Sequence, residues 1–168
     1  MYGTEQIVVE RGAGGPDVSF AGNEVTFKIR GDQTSGAFSV AEFKAHPGTF
    51  IPPHFHEKTD EVSYVLEGEL GVMVAEEEFT ARTGTFVVRP KGVPHALWNS
   101  TDRAARFLDM YTPAGFEAWF DELARLLSAP TPPSLDQLNE AGRRYDTILL
   151  PELMQPLMAR HNFKMPLR

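Results

Sequence analysis

Cysteine is absent from the 168 residues, which excludes disulfides, thiolate metal ligands and cysteine nucleophiles. Positive charge is scarce: 16 Lys plus Arg stand against 23 Asp plus Glu, a net charge of −7. That balance argues against a nucleic-acid or membrane partner, since both surfaces call for clustered cations. Apolar runs fall far short of the ~20 residues needed to span a bilayer. The opening stretch, MYGTEQIVVERGAGG, has no basic segment followed by an apolar core, so no secretory leader is expected and the expected location is cytoplasmic. What remains is ordinary for a soluble globular chain, with 42% hydrophobic and 23% charged residues.

Two regions differ in period. From Val18 to about Tyr111, short segments rich in Val, Phe and Thr alternate with Gly and Pro turns. The strand candidates are Glu24–Ile29, Ala37–Ala45, Glu61–Leu66, Leu70–Val74, Thr85–Val88 and Ala105–Tyr111. Such spacing predicts an all-β sandwich or barrel rather than a doubly wound sheet. After Tyr111 the pattern turns helical: Phe116, Trp119, Phe120, Leu123, Leu126 and Leu127 form one apolar stripe. Thr112 is the expected N-cap and Pro113 the first helical residue. Ser134 and Gln137 form a capping-box pair opening a second helix, and a third begins near Pro151, is interrupted by Pro156 and runs towards His161. The expected organisation is a barrel over 1–112 and a helical extension over 113–168, packed on the barrel or on a second subunit.

Three of the five histidines belong to one arrangement. His54 and His56 are two apart, so on a strand their rings share a face. Glu61 follows a short turn, and His95 comes after the stiff Pro-Lys-Gly-Val-Pro corner. Two imidazoles, a carboxylate and a third imidazole from a distant strand can surround a divalent cation and leave positions for water or substrate. His-x-His spacing alone leaves metal ligands and surface histidines evenly matched.

The flanking residues carry a resemblance. Gly48 to Gly68 reads GTFIPPHFHEKTDEVSYVLEG and fits G-x5-H-x-H-x4-E-x6-G. Gly84 to Asn99 reads GTFVVRPKGVPHALWN and fits G-x5-P-x-G-x2-H-x3-N. These resemble the two signature motifs of the cupin superfamily, with every fixed position occupied, over about residues 18–112. The stretch from Thr34 to Leu70 resembles the small single-domain cupins grouped with quercetin dioxygenases. The resemblance implies a double-stranded β-helix, or jelly-roll, barrel with a C-terminal helical extension. It further implies that His54, His56, Glu61 and His95 hold one divalent transition metal: Fe, Mn, Ni, Cu, Zn or Co. The implied activity is that of a non-haem dioxygenase on an aromatic or enol-type small molecule, with Glu61 doubling as the base that deprotonates it.

Strand alternation adds expected lining residues: Phe50 beside His54, Ser63 beside Glu61, and Leu97 and Asn99 beside His95. Alternation does not place Arg89 or Lys44, the obvious barrel cations. A metal-dependent isomerase or lyase, and a non-catalytic small-molecule-binding module, remain alternatives, because one fold hosts many chemistries. The amphipathic stripe over 116–127 must be covered somewhere, and a homodimer is expected.

Overall fold

The computed structural model describes residues 9, 17–131 and 133–163, so the leader reading over 1–15 lies outside the described residues save for Val9. Among the described residues, eleven strands form two antiparallel sheets. The first contains β1 (Val18–Phe20), β2 (Asn23–Ile29), β3 (Ser39–Ala45), β5 (Asp60–Glu67), β8 (Phe86–Arg89) and β10 (Ala105–Thr112), in the order β1-β2-β3-β10-β5-β8. The second contains β4 (Phe50–Phe55), β6 (Glu69–Val74), β7 (Glu77–Arg82), β9 (His95–Trp98) and β11 (Ile148–Leu149), in the order β11-β4-β9-β6-β7. This is the jelly-roll arrangement. No strand pairing joins the sheets among the described residues, so the roll is held shut by side chains.

Alternation explains that packing. Val25, Phe43, Val65 and Phe107 from the first sheet meet Leu70, Val72 and Leu97 from the second in one buried core. The Phe43 and Phe107 rings stack at 4.8 Å. On the outer face of the second sheet, Gly71 lies directly beneath the Trp98 indole, where an added Cβ would come within 2.0 Å of the ring. Only glycine fits that approach.

The helical residues pack on the same chain. Phe116 and Phe120 of the α1 region (α1, Glu117–Leu127) join the interior core, and Phe120 touches the rings of Phe20, Phe27 and Phe43. Met154, Leu157 and Met158 of α3 (Pro151–Arg160) cover the outer face of the second sheet at Phe50, Met73, Ala96 and Trp98. Between them, α2 (Leu135–Arg144) opens with the expected box: Gln137 N–H donates to Ser134 Oγ, and Ser134 N–H donates to Gln137 Oε1. Two expectations shift. Thr112 ends β10 rather than capping a helix, because Gly115 takes φ 116° and α1 starts only at Glu117. Pro156 does not break α3; the helix runs through it to Arg160.

Candidate metal centre

β4 delivers His54, and His56 follows directly after it; β5 delivers Glu61 and β9 delivers His95. His54 and His95 face each other across the β4–β9 pair. One ligand atom from each of the four residues lies within 4.8 Å of every other. All four side chains are buried.

The donor set fits a cation. Each imidazole turns Nδ1 to a backbone carbonyl: His54 to Pro52 at 2.7 Å, His56 to Asp146 at 2.7 Å, and His95 to Val93 at 3.0 Å. A carbonyl only accepts, so each Nδ1 carries the hydrogen and each Nε2 keeps its lone pair. The Nε2 atoms of His56 and His95 lie 3.5 and 3.2 Å from Glu61 Oε2, and these three buried atoms have no hydrogen-bond partner among the described residues. Three buried lone pairs aimed at one another are costly unless a positive charge sits between them. Burial, together with the neighbouring imidazoles, holds His54 well below its ordinary value; burial outweighs the Glu61 carboxylate and lowers His95 too. Both are therefore kept in the neutral form that binds metal.

Sequence reasoning missed the other half of this site. The buried Arg89 guanidinium reaches Glu61 Oε1 at 3.2 Å and Asp109 Oδ1 at 2.6 Å, and also donates to Ser63 Oγ, which donates to Asp109. One positive charge thus serves two carboxyls. Burial pushes Glu61 upward, but Arg89 and the His56 and His95 contacts overrule it and hold Glu61 well below the usual carboxylate range. Burial and the Glu61 charge push Asp109 up to about 8, so it keeps its proton at neutral pH. A signal for Asp109 existed: Ala105, Phe107, Asp109 and Tyr111 are all buried at period two, which puts an acid on the apolar face of a strand.

His54, Glu61, Arg89, Asp109 and Tyr111 form the polar floor of a cavity of about 490 Å³. Its walls are mostly apolar, and Phe116, Trp119, Phe120, Leu123, Leu135 and Leu138 supply a helical roof. The four expected lining residues lie elsewhere. Phe50 points outward into the α3 layer, because Pro52 and Pro53 have no N–H to continue the ladder and the register slips between Ile51 and His54. Ile51 and Pro52 reach the cavity instead. Leu97 shares the interior face with His95 but is packed in the core. Asn99 is a structural tie: its amide donates to Ala45 and Arg103 carbonyls and its oxygen accepts from Thr101. Ser63 stands behind the floor in the Arg89 network. His46 pairs with Glu24, and His161 with Glu78, both away from the cluster.

Residues 41–111, which hold all four converging side chains, match the family model described as Cupin domain. This is a cupin domain. A germin-like protein (subfamily 2 member 4) of Arabidopsis thaliana is 40% identical over 78 residues, covering 44% of this chain and 35% of the relative. Protein SchB of Streptomyces halstedii is 35% identical over 75 residues, covering 45% of this chain and 53% of SchB. The chain thus spans about a third to a half of the curated relatives it matches. Among solved cupin-like structures, a predicted oxalate decarboxylase from Thermotoga maritima superposes with a TM-score of 0.58 at 22% identity, covering 63% of this chain and 98% of the other. That likeness concerns the fold. The buried His-His-Glu-His set within the matched residues is a candidate metal site.

Proposed function

We propose that the protein is a non-haem metal-dependent dioxygenase acting on an apolar aromatic or enol-type small molecule. The observation that carries this reading is a buried three-histidine, one-glutamate cluster that meets a mostly apolar cavity of about 490 Å³ through His54 and Glu61. His54, His56, Glu61 and His95 would hold a divalent ion, which supplies Lewis-acid activation of a substrate hydroxyl. The apolar roof orients the ring or chain of the substrate and keeps water from it. Glu61, ionised beside Arg89, is the group that takes the hydroxyl proton, while Asp109 retains its own and offers an O–H to the same space. The walls suit a molecule with one polar end better than a small dianion such as oxalate. The substrate is taken to be the only partner besides a second copy of the chain, with neither nucleic acid nor membrane engaged.

An isomerase or lyase is the second reading, favoured by Glu61 and Asp109: one ionised and one protonated carboxyl on one cavity floor suit a proton shuttle. Elemental analysis combined with oxygen uptake against flavonols and enediols separates the two. Uptake coupled to substrate loss supports the dioxygenase; turnover without oxygen moves the protein to the second reading.

A further inference from the structure

The segment joining α2 to α3 does more than connect them. Gly142 O accepts from Tyr145 N–H at 2.8 Å and from Thr147 N–H at 2.9 Å, and this tight turn leaves Asp146 at φ 63°. From there the chain pairs with β4, setting Ile148 opposite Phe55 and Leu149 opposite His54. Leu150 N–H then donates to Pro53 O at 2.9 Å. Residues 145–150 are therefore a strap along the strand that carries the first histidine of the cluster.

Asp146 fastens the strap at two levels. Its backbone carbonyl accepts the Nδ1 hydrogen of His56 at 2.7 Å. Its carboxylate accepts from the Glu57 N–H at 2.9 Å, the Lys58 N–H at 3.0 Å and the Thr59 hydroxyl at 2.8 Å. The turn between His56 and Glu61 is thus folded around one carboxylate from ninety residues further along the chain. A carbonyl bound to the outer nitrogen of a ligand histidine fixes the ring and raises its basicity. The cavity roof, Leu135 and Leu138 of α2 with Thr147 and Leu149 of the strap, hangs from this attachment.

We infer that Asp146 is a positioning residue of the metal centre, and that through it cation binding and docking of the residues from 134 to 160 stabilise each other. The inference rests on reading the four-residue cluster as a metal site. An apo cluster leaves His56 free to tilt and weakens the strap; a loaded cluster fixes His56 and so holds the Asp146 carbonyl, the turn and the roof. Linkage makes the effect reciprocal: the factor by which a docked strap raises ion affinity is the factor by which the ion raises docking.

The test uses the full chain with Zn²⁺ as the probe, in calorimetric titration and in hydrogen exchange. Asp146→Gly keeps access to positive φ but removes the carboxylate, and Asp146→Asn keeps an acceptor oxygen. The expected result is a loss of Zn²⁺ affinity of about 10–100-fold in Asp146→Gly, the range for partners behind a ligand histidine, with most of it recovered in Asp146→Asn. Asp136→Ala, at an exposed position in the first turn of α2, should bind as wild type does. In the wild type, Zn²⁺ should slow amide exchange across 135–160 by a comparable factor; this measurement needs no variant and stands if Asp146→Gly does not fold. Equal affinity in folded Asp146→Gly and wild type, or exchange across 135–160 indifferent to Zn²⁺, overturns the linkage alone. A wild-type chain that takes up neither Zn²⁺ nor any other divalent ion overturns the metal centre and the linkage with it.

Discussion

Arg89 meets two buried carboxyls with a single positive charge, and the protonation of the cavity floor follows from that shortage. Removing the guanidinium leaves Glu61 ionised without its partner or forces it to take a proton. Arg89→Met is therefore expected to lower the stability of the metal-free protein by about 3–5 kcal/mol, the cost of breaking a buried pair from one side. Denaturant unfolding measures it, and adding Asp109→Leu to the same chain should recover part of the loss. Glu61→Gln separates the two jobs proposed for that residue. The amide keeps an oxygen donor but cannot accept a proton, so turnover should stay about 10²–10⁴-fold low even at full metal loading. Recovery of turnover on adding metal would assign Glu61 to holding the ion only. The four converging residues were legible through their flanks: His-x-His spacing alone leaves them level with surface histidines, and the fixed glycines, proline and asparagine around them carry the resemblance that implies a ligand set. Arg89 was visible only as a lone cation beside a proline, and nothing local tells a strand arginine whether it faces inward. Phe50 was misplaced for the opposite reason. Simple alternation does not carry across Pro52-Pro53, where the ladder cannot run.

The helical elements owe their positions to a few polar fastenings. Glu117, at the start of α1, accepts from the Gly31 N–H at 2.7 Å and the Gly115 N–H at 2.9 Å, tying the helix to the turn after β2. Burial would raise its carboxyl, but these backbone bonds prevail and lower it. A carboxyl lowered in the folded state contributes its stability in full above its ordinary value near 4.5, and loses it as pH falls through the folded value. Thermal midpoints of wild type should thus drop on acidification below about pH 4.5. Glu117→Gln should start about 1–2 kcal/mol less stable at neutral pH and show a flatter acid limb. Parallel curves for the two proteins would contradict the assignment. At α2, Ser134→Ala removes the cap that Gln137 donates to, and about 1 kcal/mol of stability should go with it, read in chemical unfolding. That helix was plain in the sequence, since a capping box is a local device. The start of α1 was not: Thr112 and Pro113 have the chemistry of a helix opening, yet β10 continues through Thr112 because it is paired with β5 at Asp60. Long-range pairing outweighed a local preference, and the two-residue β11, which exists only through its pairing with β4, left no pattern to read.

For the molecule as a whole, the outer face of the first sheet is the surface to watch. Phe86 and Val88 on the edge strand β8 are 67% and 59% exposed, and Met110 on β10 is 41% exposed. Across the sheet they align with Tyr64 and Val62 of β5. Our proposal of a homodimer places the contact there, because an apolar patch on one copy is complementary to the same patch on another. Phe86→Lys with Val88→Lys should yield a folded monomer where wild type sediments as a dimer at micromolar concentration; a monomeric wild type would remove the dimer and leave the fold untouched. No helix among the described residues is long and apolar enough to cross a membrane. The cavity has a further consequence. Its floor comes from the segment that matches other cupin domains, whereas Phe116, Trp119, Leu123, Leu135 and Leu138 overhead come from beyond residue 111. Under the proposed function, the residues that would do the chemistry and most of those that would cover the substrate lie in separate stretches of the chain. A mutant library confined to Phe116, Trp119 and Leu123 is then the shortest route to altered substrate range, whereas changes at Leu135 and Leu138 carry through the Asp146 strap into the metal site.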